Sequence, residues 1–201
     1  PDFVKDVKEL INIMPSRLKE YHKVFSGNLI AKNRLKKVGH LSKEDAINYA
    51  ITGPSGRGSN WSCDCRKKHP YAVYSEVEFD EVLGDGCDSY SRYMVRMKEI
   101  EQSCRILEQL VDRIPEGDIR AQVPKVIKLP VGSWYQQVEA SRGTFGVYIE
   151  STGEKNPYRV HFQSPCFNLV GVMDLTCSGY MIADLITIGA ALDFVIPDID
   201  R

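Results

Sequence analysis

The sequence predicts an α+β protein, mainly helical, with a small antiparallel β meander. Three observations predict it. Residues 2–14 and 88–114 place apolar side chains three and four positions apart, the spacing of one helix face. Residues 134–163 form three short runs rich in β-branched and aromatic residues, joined by turn residues. Residues 175–192 make one more apolar run of helical length.

In the first helix, Phe3, Val4, Val7, Leu10, Ile11 and Met14 share a face. Pro15 has no amide to donate and its ring crowds the preceding turn, so it is expected to end or kink that helix. A second helical segment, Pro15 to Phe25, aligns Leu18, Tyr21, Val24 and Phe25. Ser42 followed by Asp45 resembles a capping box opening a short helix, with Gly53 as its stop. Residues 53–70 are rich in Gly, Ser and charge and read as loop. Tyr71, Val73, Ser75, Val77 and Phe79 alternate and read as a strand.

The longest helix runs from about Asp88 to Ile114, with Tyr90, Met94, Met97, Ile100, Cys104, Leu107 and Val111 as its apolar stripe. Pro115-Glu116-Gly117 stops it. Strands follow at 134–140, 144–150 and 158–163, with Ser141-Arg142-Gly143 and Thr152 to Asn156 as hairpin turns. A last helix spans Leu175 to Leu192, and Pro197 argues against helix beyond it.

The 201 residues carry a net charge of −1, which gives no electrostatic reason to bind nucleic acid or an anionic lipid surface. No signal peptide and no uncharged apolar run of membrane-spanning length is visible. Asp174, Asp184 and Asp193 interrupt the most apolar stretch, 169–196, which reads as a buried helix. The chain opens on Pro1 within a helical pattern and reads as a piece of a longer protein. Its helices would then expose apolar faces and favour self-association in isolation.

The six cysteines fit no disulfide framework. Cys63-Asp64-Cys65 with His69 is the one arrangement with metal-ligand chemistry. Zinc sites ordinarily want two or more residues between their cysteines, so these thiols read as small buried hydrophobes. Arg57-Gly58-Ser59 has part of a phosphate-loop spacing but lacks the lysine and does not follow a strand. Arg66-Lys67-Lys68-His69 reads as a solvated face or a subunit contact. On the long helix Arg92, Arg96 and Glu99 stand three and four apart and could pair across turns. Asp184, mid-helix, calls for a structural hydrogen bond, since an isolated buried charge is costly. Asp193 reads as a helix-end carboxylate, and Asp198 and Asp200 with Arg201 as an ion-pair cluster.

Five stretches in order resemble a known family. They are Gly53-Pro54…Arg57-Gly58-Ser59…Asp64-Cys65-Arg66-Lys67…Pro70-Tyr71…Tyr74; Asp88 to Tyr93 with Arg96, Glu99, Gln102-Ser103 and Arg105-Ile106; Val138-Glu139-Ala140…Gly143 to Tyr148; Pro157-Tyr158-Arg159…Ser164-Pro165-Cys166-Phe167…Leu169 leading to Met181-Ile182-Ala183-Asp184; and the tail Asp193-Phe194-Val195-Ile196-Pro197-Asp198-Ile199-Asp200-Arg201. They resemble the C-terminal part of the D-type subunit of NADH–quinone oxidoreductase, respiratory complex I, a relative of the [NiFe]-hydrogenase large subunit. In that hydrogenase protein the tail carries Asp-Pro-Cys-x-x-Cys. Here Val195 and Asp198 stand at the two thiolate positions, so nickel ligation is lost.

The resemblance implies a hydrogenase-large-subunit-like helical core with peripheral strands. It implies a role in electron transfer from NADH through iron–sulfur clusters to quinone, coupled to ion translocation. Asp193 and Val195 would form part of the quinone cavity; no residue of this stretch would be catalytic, bind a metal or hold a cofactor. Iron–sulfur clusters and FMN would belong to partner subunits, and the chain alone would be inactive. The assembly would sit on the cytoplasmic side of a bacterial inner membrane, this protein peripheral through its iron–sulfur and membrane partners, with no nucleic acid bound. Ser178-Gly179-Tyr180, where the family usually has Arg-Gly-His, marks a divergent branch. A nickel-free large subunit of a membrane-bound hydrogenase-like complex and a non-catalytic scaffold remain open alternatives.

Overall fold

The computed structural model describes residues 2–118 and 120–200. Helices dominate, and one three-stranded antiparallel sheet is present, as the α+β reading requires. Helix α1 (Asp2–Tyr21) runs unbroken through Pro15, contrary to the expected stop. Its two buried residues, Ile11 and Leu18, and its packing along α6 hold the helix across the missing amide. That tertiary contact outweighs a local penalty of about 3 kcal/mol. A five-residue π turn, His22–Ser26, follows, and its Phe25 ring meets Tyr93 edge-on at 5.0 Å. Helix α2 (Leu29–Leu35) starts at Asn28, whose side chain accepts from the amides of Ile30 and Ala31.

Helix α3 (Lys43–Asn48) is capped by Ser42 as expected, Oγ accepting from the Asp45 amide. The Asp45 carboxylate accepts from the Ser42 hydroxyl at 2.6 Å, not from the Ser42 backbone amide of a full capping box. Gly53 does not stop this helix. It has φ +69° and opens α4 (Gly53–Arg57), and α5 (Cys65–Lys68) follows with Asp64 as its cap. The stretch expected to be loop therefore holds two short helices, and α4 is buried throughout.

The strand expected at 71–79 does not form; Tyr74–Glu76 makes one 3₁₀ turn in irregular chain. The segment packs on a helix instead of a strand. Val77 and Phe79 join Ile106 in a satellite core. Its backbone is served by α6 side chains: Gln109 accepts from the Glu78 amide and donates to the Glu78 carbonyl, and Gln102 accepts from the Asp80 amide. Alternation found a buried face here, but its period alone does not supply a strand partner.

Helix α6 (Ser89–Leu110) begins at its Asp88 cap, where the sequence predicts, but ends at Leu110 rather than at Ile114, so the chain leaves the helix before Pro115. Strands β1 (Gly132–Ala140), β2 (Gly143–Ser151) and β3 (Arg159–Gln163) lie in the order β1-β2-β3 with both neighbours antiparallel, bearing out the meander. The single helix expected at 175–192 is divided. Helices α7 (Pro165–Gly171) and α8 (Met173–Cys177) precede α9 (Ile182–Leu192), separated from α9 by Ser178-Gly179-Tyr180 with Gly179 at φ +82°. Beyond α9 a short α10 (Ile196–Ile199) forms after all. Pro197 sits in its first turn, where no amide donor is needed.

The main core gathers Leu41, Ala46, Ile51, Leu169, Val172, Ile188 and Leu192, with Trp61, Tyr180 and Phe194 against it. It joins α3, α7 and α9, and α9 also lies along α6. Among the described residues no helix is long and apolar enough to cross a membrane.

Candidate functional site

The tail residues singled out in the sequence lie where α9 ends. Asp193 takes the left-handed conformation, φ 62° and ψ 41°, and its amide donates to the Gly189 carbonyl. A left-handed residue after a helix reverses the chain and leaves the last carbonyls of the helix in need of donors. Arginine supplies them. Arg96 of α6 donates through Nη1 to the Ala191 carbonyl at 2.9 Å and through Nη2 to the Leu192 carbonyl at 3.4 Å. Ser55 of α4 donates its hydroxyl to the same Leu192 carbonyl. From the turn between β1 and β2, Arg142 Nε donates to the Asp193 carbonyl at 3.2 Å.

The Asp193 carboxylate sits between these cations at ion-pair rather than hydrogen-bond distance. Oδ2 is 3.9 Å from Arg96 Nε, and Oδ1 is 3.6 Å from Arg142 Nη2. The Asp193 side chain is 38% exposed. Burial lowers the Arg96 pKa, with the charges of Asp193 and Glu99 acting in the opposite sense.

Two residues on, Val195 is half-buried and precedes α10. Its amide points at the fully buried Cys166 Sγ, 3.4 Å away. Burial raises the Cys166 thiol, helped by its hydrogen bond with Asp198. Asp198 also accepts the Ser164 hydroxyl, tying α10 to the start of α7. The ion-pair cluster expected of Asp198, Asp200 and Arg201 depends on Arg201, which lies outside the described residues.

Beside this turn lies a charged layer that residue-by-residue reading of the sequence missed. Arg57, with a side chain only 1% exposed, donates from Nε to Glu99 at 2.6 Å and from Nη1 to Glu139 at 2.7 Å. Burial opposes its charge, but the carboxylates of Glu139 and Glu99 outweigh burial and raise its pKa. Glu139 also accepts from the Cys65 amide, and its own amide donates to the Tyr71 hydroxyl. Arg57, Arg66, Arg96, Glu99, Glu139 and Ser141 line a cavity of about 260 Å³. Neither Asp193 nor Val195 is in that lining. A larger groove, about 480 Å³ between Lys36, Tyr90, Met94 and Lys98, does not include them either.

The side-chain pairing expected within α6 gives way to contacts outside it. Glu99 turns to Arg57, and Arg96 to the end of α9. Arg92 is wholly buried and donates from Nη2 to the Gly39 carbonyl at 2.6 Å, while its Nε and Nη1 find no hydrogen-bond partner among the described residues. Burial, then the nearby Arg96 charge, push it down to about 10. Arg105 pairs with Asp80 and Glu78. These partners are distant in sequence, so helical spacing carried no sign of them.

The family described as "Respiratory-chain NADH dehydrogenase, 49 Kd subunit" matches residues 1–128 and 122–201. The chain belongs to this family. Among its relatives, the C/D-type NADH-quinone oxidoreductase subunit of Phocaeicola vulgatus is 53% identical over 201 residues, all of this chain and 39% of that protein. The D-type NADH-quinone oxidoreductase subunit of Desulfotalea psychrophila is 45% identical over the whole chain and 54% of its own length. The D-type counterpart of Bacillus cytotoxicus is 40% identical over 202 residues, with 55% of its length covered. The chain thus spans between 39% and 55% of these relatives.

In this member of the 49 kDa family the other sequence candidates have structural uses. Cys63 Sγ points at the Gly53 carbonyl at 3.8 Å, and burial above all pushes both Cys63 and Cys65 up to about 12. Asp64 caps α5 and grips Arg66. Ser59 donates to the Leu41 carbonyl. Arg66 and Lys67 lie over the Phe79 ring, at 5.0 and 4.0 Å from its centre, so half of the basic run covers the satellite core. Asp184 stands in the first turn of α9, where it accepts from the Met181 amide and meets Arg34 at 3.0 Å. Among the described residues no three His, Cys, Asp or Glu side chains gather as a metal set.

Proposed function

We propose that this chain is the C-terminal part of a quinone-reducing subunit of NADH–quinone oxidoreductase, and that the turn at 193–195 forms part of the wall of the quinone cavity. The family supports this, and so does one observation: a carboxylate and an apolar residue fixed two positions apart at a partly open helix end. Electrons then come from NADH through iron–sulfur clusters to quinone, coupled to ion translocation. The clusters and FMN belong to partner subunits, through which this protein is held at the cytoplasmic face of a bacterial inner membrane. The fold is that of a hydrogenase large subunit whose thiolate positions have become Val195 and Asp198.

Each residue has a definite role. A quinone ring is apolar and planar, and pockets for such ligands combine apolar walls with a few placed polar groups. Val195 supplies wall. An ionised Asp193 can accept a hydrogen bond but not donate one. It therefore interacts with the hydroxyl of a reduced ring more favourably than with the acceptor-only carbonyl of the oxidised ring.

Steady-state kinetics of the whole complex carrying Asp193→Asn or Val195→Phe provide the test. Quinone reduction by NADH is expected to fall about tenfold or more in Asp193→Asn, since a hydrogen bond to a charged group contributes about 1.5–3 kcal/mol and about 1.4 kcal/mol corresponds to tenfold in rate. Val195→Phe should lower it by crowding the wall. NADH oxidation by ferricyanide, which needs no quinone site, should persist. Unchanged quinone kinetics in both variants would remove these residues from the cavity.

A further inference from the structure

We propose, building on the quinone-cavity reading above, that Arg96 and Arg142 are positioning residues for Asp193, acting on bound quinone only through that carboxylate.

The turn is held from two sides. Arg96 grips two successive carbonyls, Ala191 and Leu192, and Arg142 grips the next, Asp193. Consecutive backbone oxygens at the end of α9 are thus fixed by a guanidinium from α6 and another from the β1–β2 turn. This hold determines where the left-handed residue points its side chain. The same guanidiniums stop short of the carboxylate, at 3.9 and 3.6 Å. They therefore hold its direction while leaving its lone pairs for another donor.

Each arginine is itself anchored. Arg96 also donates to the Arg92 carbonyl of its own helix, and Arg142 donates from Nη1 to Ser141 Oγ. The hairpin that carries Arg142 is pressed onto α4. A Cβ on Gly53 would lie 2.4 Å from Gly143 Cα, and Thr52 Oγ1 accepts from the Thr144 amide at 2.9 Å. Arginine suits both places: Arg96 spans two carbonyls, and Arg142 reaches the Asp193 carbonyl and Ser141 Oγ at once, whereas lysine keeps the charge but offers one nitrogen in place of a rigid fork.

A double-mutant cycle in the assembled complex tests the inference. Arg96→Lys, Asp193→Asn and their combination are compared for quinone KM and kcat, with ferricyanide reduction as the measure of intact assembly. Arg142→Lys, at the surface turn, is run in parallel in case the α6 variant fails to assemble. Each lysine variant is expected to impair quinone reduction about five- to tenfold with ferricyanide activity retained, and to add less than about twofold on the Asp193→Asn background, as coupled neighbours do. If Asp193→Asn impairs quinone reduction but the lysine variants do not, or if their effects multiply with it, the positioning role is overturned and the cavity reading stands. If Asp193→Asn leaves quinone kinetics unchanged, the cavity reading fails and the positioning role with it.

Discussion

Arg57 Nη1 lies 2.7 Å from Glu139 Oε1 and joins α4 to β1 across 82 positions of sequence. With Glu99 on the other side of the guanidinium, this contact ties together the helix, the hairpin and the long α6 that frame the end of α9.

Arg57→Leu should therefore be severe. It leaves Glu99 and Glu139 facing each other in a site where both are largely buried. Removing one partner of a buried ionic group costs about 3–5 kcal/mol. Denaturant unfolding of the purified chain should show that loss, and a change below about 1 kcal/mol would contradict it.

Asp64 predicts an acid-dependent stability. Burial would raise its pKa, but the hydrogen bonds and charge of Arg66, with Arg57, lower it. A carboxyl depressed in the folded state contributes stability above its unfolded value, about 3.9, and loses it as pH falls through the folded value. Asp64→Asn should cost about 1.5–3 kcal/mol at pH 7, and the difference from the parent protein should shrink below about pH 4. A pH-independent difference would show that the charge is not what matters.

Thiol labelling separates buried from accessible cysteines. Cys63 and Cys65 are buried, and burial pushes both up to about 12, so the reactive thiolate is scarce at neutral pH. Iodoacetamide at about pH 8 should label them at least about tenfold more slowly than the half-buried Cys177, and denaturant should abolish the difference. Equal native rates, read by peptide mass spectrometry, would contradict the burial.

Gly53 has no room for a side chain. Its φ is +69°, and a Cβ would meet the Gly143 backbone at 2.4 Å. Gly53→Ala should destabilise by about 1–3 kcal/mol, the usual range for overpacking, and should loosen the hairpin that carries Arg142. Proteolysis within 141–143 is the readout, and unchanged protection would contradict the seating of the hairpin.

What the sequence revealed depended on how local the causes were. The meander was legible because alternation and turn residues are neighbours in sequence. The start of α6 was legible because Asp88 caps it; its end was not, since the helix stops at Leu110, before Pro115 is reached. Residues 71–79 looked like a strand because Val77 and Phe79 are buried, yet Gln102 and Gln109 serve the backbone there from a helix. Residues 53–70 looked like loop because glycine, serine and charge usually face water. Arg57 is buried there because its two carboxylates come from 42 and 82 positions away. Asp193 and Val195 were singled out by family resemblance, and their place in a quinone cavity is a proposal. Arg96 was read as a partner for its own helix and Arg142 as a turn residue, because their contacts with α9 exist only in three dimensions.

The most direct test of the quinone-cavity assignment is photo-cross-linking of the assembled complex with a photoreactive quinone, followed by peptide mapping of this protein. Label is expected in the peptide carrying Asp193 and Val195, competed away by unmodified quinone and reduced by Val195→Phe. Competable label confined to other peptides or to partner subunits would contradict the assignment.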